Sequence, residues 1–453
     1  MRSRAMRRVT ARYTWDRLRV SFWFVPLVMS LGAVLLAWFL YEVDALIPNE
    51  ALQTSRLVLS GGPAEQRTML IGMASTILAT AGVVFSLLTL PLSTVAAQYG
   101  SRLLRVFLGD RTTQIVLGMF VSTFVYCLAA ALSILPVEVQ PEGPQVTTTM
   151  GLVLMLATFA SLILLVQHIS TMLQAPNIAA AAGAELLDAV SVESPEYVTS
   201  EADPSQTVQG SLDNLTETEG YPVRLSETGY IQYIDPEYIL TLAREKDFVI
   251  LLLHKPGQFI RRGTVVAMVR PASRVDERLD QQIRRAFQLG NQRTPTQDIE
   301  YAVNQLVEVA VRAMSPAIND PFTAMTCLDH IGDGLAQFNR QGEISPNFYD
   351  RDGKLRLVFE PVTFTELVNT AFNMLRHASC DNASVLLHML DTIEAICQKT
   401  QSPETCEELL RHISLIQAES QAGALVEEDR QAIRLRCEAL QVKFGPPTNH
   451  YIG

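Results

Sequence analysis

Apolar positions are distributed unevenly along this chain. Before about residue 174 they form four long runs, at 22–47, 69–94, 114–135 and 148–172. After it they come in short groups of alternating or helical period. A helix needs about 20 apolar residues to cross a hydrocarbon core, and each run is long enough. The last three contain no Asp, Glu, Lys or Arg, and the first carries only Glu42 and Asp44 near its end. One central charge would cost about 2.5–3.5 kcal/mol on insertion scales, so the pattern predicts four transmembrane helices. A cleaved signal peptide does not fit the first run, which is too long and is followed by no A-x-A-like site.

The second run differs from the others. Gly72, Thr76, Ala79, Thr80, Val83, Ser86 and Ser93 recur mostly three, four or seven apart. On a helix they form one small or weakly polar stripe. Two readings stand side by side. Small residues let helices approach closely in lipid. The same face, repeated by each subunit of an oligomer, could line a pore. Pro91 is placed to kink this helix. His168, late in the fourth run, reads as an interfacial or polar contact rather than a proton relay.

From residue 221 the pattern changes to short β-like runs, YPVRL, GYIQYI, FVILLLH and TVVAMV, bounded by Gly229, Pro256-Gly257 and Gly263. One helix interrupts them, with Asp235 as N-cap and Pro236 at its first position. We expect a small β-barrel serving as an interaction module. The PGQFIRRG turn resembles those of lipoyl- or biotinyl-type domains. No lysine sits on an M-K-M-like tip, so no carried group and no cofactor is expected. Beyond this module the chain reads as helical. Ile299, Val303, Leu306, Val307, Ala310 and Met314 share one face. Ser315-Pro316 should stop that helix, and Asp320-Pro321 should cap and start the next, giving an αα-hairpin. Further helices are expected at 363–377, 383–400, 403–419 and 427–441.

Charge sharpens the division. Residues 1–111 hold 12 basic and 6 acidic side chains, and the rest hold 24 basic and 41 acidic. Seven arginines precede the first run, and Arg102, Arg105 and Arg111 follow the second, whereas 136–147 carries Glu138, Glu142 and no basic residue. The positive-inside rule then places both termini in the cytoplasm. The acidic remainder would repel a phosphate backbone, which argues against a nucleic-acid partner. The expected fold class is an α-helical membrane protein with four spans and a cytosolic α+β region. Its parts are a basic cytosolic N-terminus (1–20), a four-helix transmembrane domain (21–174), a helical extension with an acidic linker (175–220), a β-rich module (221–272) and a helical domain (273–453). The six cysteines show no C-x-x-C spacing and read as reduced thiols without a zinc framework.

The strongest polar cluster contains Arg312, Ser315, Asn319, Asp320, Thr323 and His330, with Asp329 and Asp333 nearby. In the plain reading Asn319 and Asp320 bond the loop backbone and cap the next helix, while Arg312 pairs with a carboxylate. In the functional reading the helix N-terminus at Pro321 binds an anionic small ligand, with Arg312 adding charge. A hydrolase would need nucleophile and base in one cleft. Ser315 precedes a proline and lies in no strained elbow, so pairing it with His330 is weak and no catalytic residue is assigned. No metal ligand set, Walker loop, G-x-G-x-x-G or H-E-x-x-H is present.

Two segments carry a family resemblance: QYGSRLLRVFLGDRTTQIVLGMFVSTFVYCL at 98–128 and QDIEYAVNQLVEVAVRAMSPAINDPFTAMTCLDHI at 297–331. With the four-helix start, GYIQYI and PGQF, they resemble the bacterial predicted membrane proteins grouped as domain of unknown function 2254. The resemblance covers nearly the whole chain. Where the family favours Ser-Pro before Arg-Leu, this chain has Gly100-Ser101. The resemblance implies the architecture and a multi-pass place in a bacterial inner (plasma) membrane; it brings no established activity. The leading expectation is an oligomeric channel-like or transport-associated protein with a cytosolic regulatory domain. Its path would be lined by Gly72, Thr76, Thr80, Ser86 and Ser93. The alternative is a membrane-anchored scaffold or ligand sensor. The expected partners are the bilayer, further copies of the chain and an anionic small ligand.

Overall fold

The computed structural model describes residues 23–46, 59, 61–99, 110–134, 143–172, 174–192, 220–342, 344–350, 352–400 and 402–445. The basic N-terminal arm, Arg102, Arg105, Glu138, Glu142 and the acidic stretch 193–219 lie outside the described residues. The chain divides into two compact units, Met1–Asn177 and Ile178–Gly453.

The first unit holds the four expected helices: α1 (Phe24–Leu46), α2 (Pro63–Tyr99), α3 (Arg111–Ser133) and α4 (Gln145–Met172). Each is long and apolar enough to cross a membrane. α3 is the hub and packs on α1, α2 and α4. Its Val116, Leu117, Phe120, Tyr126, Cys127 and Ala130 are buried. Leu31, Leu35 and Trp38 of α1 and Ile163 and Leu164 of α4 are exposed, an outer surface suited to hydrocarbon rather than water. α2 runs as helix through Pro91 to Tyr99.

Several of the polar groups buried in this unit tie helix ends together. Asp44 of α1 reaches the first turn of α4, where its carboxylate accepts from Val146 N (2.8 Å), Thr147 N (2.8 Å) and Thr147 Oγ1 (2.6 Å). An anion at a helix N-terminus satisfies donors that have no intrahelical partner. Tyr126 donates to the Thr147 carbonyl (2.8 Å) beside it. At the opposite ends of α3 and α4, Asp110 caps α3 through Thr113 N (2.7 Å) and meets His168 Nε2 at 3.0 Å. His168 thus makes the expected polar contact.

The second unit begins within α5 (Ala175–Val192). The β-rich part contains β1 (Tyr221–Arg224), β2 (Gly229–Ile234), α6 (Pro236–Lys246), β3 (Val249–Leu252), β4 (Phe259–Ile260), β5 (Val265–Arg270), α7 (Glu277–Arg284) and β6 (Phe287–Gly290). α8 (Ile299–Ala313) and α9 (Pro321–Gln341) form the expected hairpin. After them come β7 (Asn347–Tyr349), β8 (Leu355–Val358), α10 (Phe364–Ala378), α11 (Ala383–Cys397), α12 (Pro403–Ala422) and α13 (Glu427–Phe444). Caps explain most of the helix starts. Asp235, Asp320 and Ser402 each precede a proline at N1 and accept from a backbone N–H in the first turn. Thr363 and Glu366 make a reciprocal capping box on α10.

Two expectations about the β-rich part are corrected. It is not a small barrel: the strands form one five-stranded sheet, β1-β5-β3-β8-β7, and one three-stranded sheet, β4-β2-β6. Nor does it close within 221–272, because β6, β7 and β8 come from beyond it. β3 pairs with β8 in parallel across a sequence gap that holds β4, β5, α7, β6, the α8–α9 hairpin and β7. Strands of three or four residues that pair this far away give little local periodicity to read. The two sheets, α6 and α7 share one core, including Ile231, Ile239, Phe248, Ile250, Ile260, Val269, Ile283, Phe287 and Leu357.

Candidate functional site

The α8–α9 hairpin turn holds the predicted polar cluster. α8 ends in hydrogen bonds from Met314 N to the Ala310 carbonyl (3.0 Å) and Ser315 N to the Arg312 carbonyl (3.0 Å). Asn319 then adopts φ +50°, a left-handed conformation that Asn tolerates better than most residues. This lets Asn319 N reach the Ser315 carbonyl (2.9 Å) and Asp320 N reach the Ala313 carbonyl (2.8 Å). Asp320 accepts from Thr323 N (3.1 Å) and from Thr323 Oγ1, whose side chain is buried. The positive end of α9 is therefore occupied by the chain's own carboxylate.

The other cluster members point elsewhere. Arg312 lies back along its own helix, with Nη2 2.9 Å from Glu308 Oε1. His330 sits about 13 Å up α9 from its start, judged by helical rise. Its imidazole lies against Gly183 of α5, where an added Cβ would come 2.6 Å from Nδ1. Asp329 pairs with His388 Nε2 at 2.7 Å. His330 thus lies about two and a half turns along α9, away from Ser315. Beside the exposed Asn319, the turn offers apolar groups to its surroundings: Ile318 is 41% exposed and Phe322 76% exposed.

The α2 stripe takes a definite position in the first unit. Leu70, Met73, Ala74, Ile77 and Val84 face the other helices and are buried. Gly72, Thr76, Ser86 and Ser93 lie on the exposed side, and Thr80 is half-buried. The hydroxyls bond back along the helix: Thr76 Oγ1 to the Gly72 carbonyl (2.9 Å), Thr80 Oγ1 to the Thr76 carbonyl (2.8 Å) and Ser86 Oγ to the Gly82 carbonyl (3.1 Å). A Cβ added at Gly72 or Gly82 would meet nothing within 4 Å.

Sequence reasoning missed a second polar junction, where the β-rich part meets the helices. Lys255 Nζ pairs with Glu366 (2.8 Å), the capping-box carboxylate of α10. Burial pushes the Glu366 carboxyl up, but the Lys255 pairing and the Thr363 hydrogen bonds together outweigh it and hold the group below its usual range. Two residues on, Gly257 has φ +89° and donates to the Ile231 carbonyl (2.8 Å). Its Cα faces Asp298, which caps α8 through Tyr301 N (3.0 Å) and takes a two-point contact from Arg293 (2.7 and 2.8 Å). The signal for this junction was the P-G-Q-F turn, read as a loop of the β module alone. Among the described residues no group of three or more His, Cys, Asp or Glu side chains is arranged to hold a metal ion.

Four helices long and apolar enough to cross a membrane and a second, mixed α/β unit define the architecture. The chain belongs to the family of predicted membrane proteins named DUF2254, whose model matches residues 19–395. It is also similar to uncharacterized proteins of Mycobacterium bovis and Mycobacterium tuberculosis. Each is 26% identical over 437 residues, covering 92% of this chain and 80% of the relative. No solved structure matches the chain.

Proposed function

We propose that copies of this chain associate within a bacterial inner membrane through the outward stripe of α2, and that these helices line a path between subunits. The observation behind this reading is the uncovered face of Gly72, Thr76, Gly82 and Ser86, with its hydroxyls already satisfied by the helix backbone. Satisfied hydroxyls and absent side chains let backbones approach without exposing unpaired donors to lipid. Both termini face the cytoplasm in this reading, and the second unit regulates the assembly from that side. The test is solute and ion flux in proteoliposomes beside Thr76→Leu and Thr80→Leu, with subunit stoichiometry measured in detergent. Flux lowered by both variants supports the path. A monomer without flux removes it.

A membrane-anchored scaffold is the second reading. It is favoured by the apolar tip of the α8–α9 hairpin, where Ile318 and Phe322 project beside a helix N-terminus that Asp320 already fills. Such a tip suits a protein contact better than an anionic ligand. Inorganic phosphate titrated into the full-length protein separates the two. A rise in melting temperature that Asn319→Ala abolishes would identify an anion sensor instead.

A further inference from the structure

Cys397 and Cys406 play no part in either site above. Cys397 is the last residue of α11, and Cys406 lies in the first turns of α12. The connection between them is held at both ends. Gln398, Lys399 and Thr400 donate their backbone N–H groups to carbonyls of the last turn of α11. Ser402 caps α12, and Asn339 of α9 clamps the connection through Thr400 Oγ1 (2.7 Å) and Thr405 Oγ1 (3.2 Å). The two helix ends are therefore held in place, and the thiols meet with Sγ–Sγ at 3.9 Å. Both are free.

We propose that Cys397 and Cys406 form a dithiol site that hydroperoxides oxidise reversibly to a disulfide, locking the end of α11 to the start of α12. Closing the bond needs the sulfurs to approach from 3.9 Å to about 2.05 Å. The two thiols have different roles. Cys406 is half-buried, so a small oxidant reaches it. Cys397 is buried, and desolvation pushes its thiol up to about 12, so it is a poor first nucleophile.

Cys406 Sγ attacks the terminal oxygen of the hydroperoxide, the O–O bond breaks, and the departing oxygen takes up the proton lost by Cys406, leaving as water from hydrogen peroxide or as an alcohol from an organic hydroperoxide. Cys397 Sγ then attacks the resulting sulfenic sulfur. The S–O bond breaks, water leaves with the Cys397 proton, and the S–S bond forms. Two thiols give up two electrons, the peroxide accepts them, and a thiol reductant reverses the reaction.

Full-length protein in detergent tests this directly. Reduced protein is treated with hydrogen peroxide, remaining thiols are blocked, and tryptic peptides are mapped by mass. Cleavage after Lys399 separates the two cysteines, onto peptides 377–399 and 400–411. The expected product joins these peptides, is two hydrogens lighter than their sum, and disappears on reduction. It should persist in Cys380→Ser, which removes the other cysteine of peptide 377–399. In Cys397→Ser it should be lost while Cys406 accumulates as sulfenic acid that dimedone traps. A link that vanishes in Cys380→Ser would overturn the assignment. So would oxidation of Cys406 in the parent protein that stops at the sulfenic or sulfinic acid, or Cys380 oxidising while the pair stays reduced. If Cys397→Ser fails to fold, the parent and Cys380→Ser maps still decide.

Discussion

Gly257 and Asp298 touch across the junction between the β-rich part of the second unit and its helices: the Gly257 Cα leaves no room for a Cβ in front of the Asp298 carboxylate. The contact joins two otherwise separate demands. Gly257 must hold φ +89° so that its N–H reaches Ile231, and Asp298 must cap α8 while pairing with Arg293. Gly257→Ala violates both the backbone and the contact. It should destabilise the unit by about 2–3 kcal/mol in denaturant unfolding. Asp298→Ala should cost on the order of 2 kcal/mol by itself. The double variant should be less unstable than the sum of the two by roughly 1 kcal/mol, because removing the carboxylate makes room for the methyl. Strict additivity would mean the contact carries no energy.

Asn319 gives a cleaner backbone test. Its φ of +50° is one that glycine adopts freely and a β-branched residue does not. Asn319→Gly should leave stability within about 0.5 kcal/mol of the parent, whereas Asn319→Val should lose about 1–2 kcal/mol. Equal losses in melting experiments would show that the Asn side chain, rather than the left-handed backbone, matters at the turn.

In the first unit the leverage lies on Asp44. Its carboxylate takes three hydrogen bonds at the head of α4, in surroundings with little water to replace them. Asp44→Ala should lower stability by about 2–4 kcal/mol, and Asp44→Asn, which keeps one acceptor oxygen, by less. Thermal unfolding of the purified protein in detergent reads the difference. An unchanged melting curve in Asp44→Ala would disconnect α1 from α4.

Acid sensitivity should trace to His412. This imidazole is fully buried between α10 and α12. Its Nε2 accepts from Arg411 (3.1 Å), and its Nδ1 has no hydrogen-bond partner among the described residues. Burial, with Arg411 close by, lowers its pKa from 6.5 to about 4. Between those values the unfolded chain binds a proton that the folded chain refuses. Stability therefore falls as pH drops through this window, by on the order of 3 kcal/mol in all, and the loss levels off below about 4. Glu394 acts lower down: Lys443 and Arg436 hold it at about 2, so its contribution is lost only below its ordinary 4.5. His412→Gln should flatten the slope between pH 4.5 and 6.5 and leave the steeper region beneath it. A slope that His412→Gln does not change would assign the loss to other groups.

The sequence by itself determined much of this protein's outline. Four apolar runs of about 20 residues or more, three of them without a charge, admit few alternatives to long apolar helices. Local chemistry also placed many helix starts, because a cap followed by proline acts within four residues: Asp235-Pro236, Asp320-Pro321 and Ser402-Pro403 all open helices. The αα-hairpin and its turn were legible for the same reason. Only the tertiary structure decided what those elements touch. It completed the five-stranded sheet with β7 and β8, joined β3 to β8 across roughly a hundred residues, and set Asp298 against Gly257. It also gave Asp44 the head of α4 and brought Cys397 to Cys406. Those pairings depend on distances between segments that share no local pattern, and nothing in the spacing of residues along one segment records them.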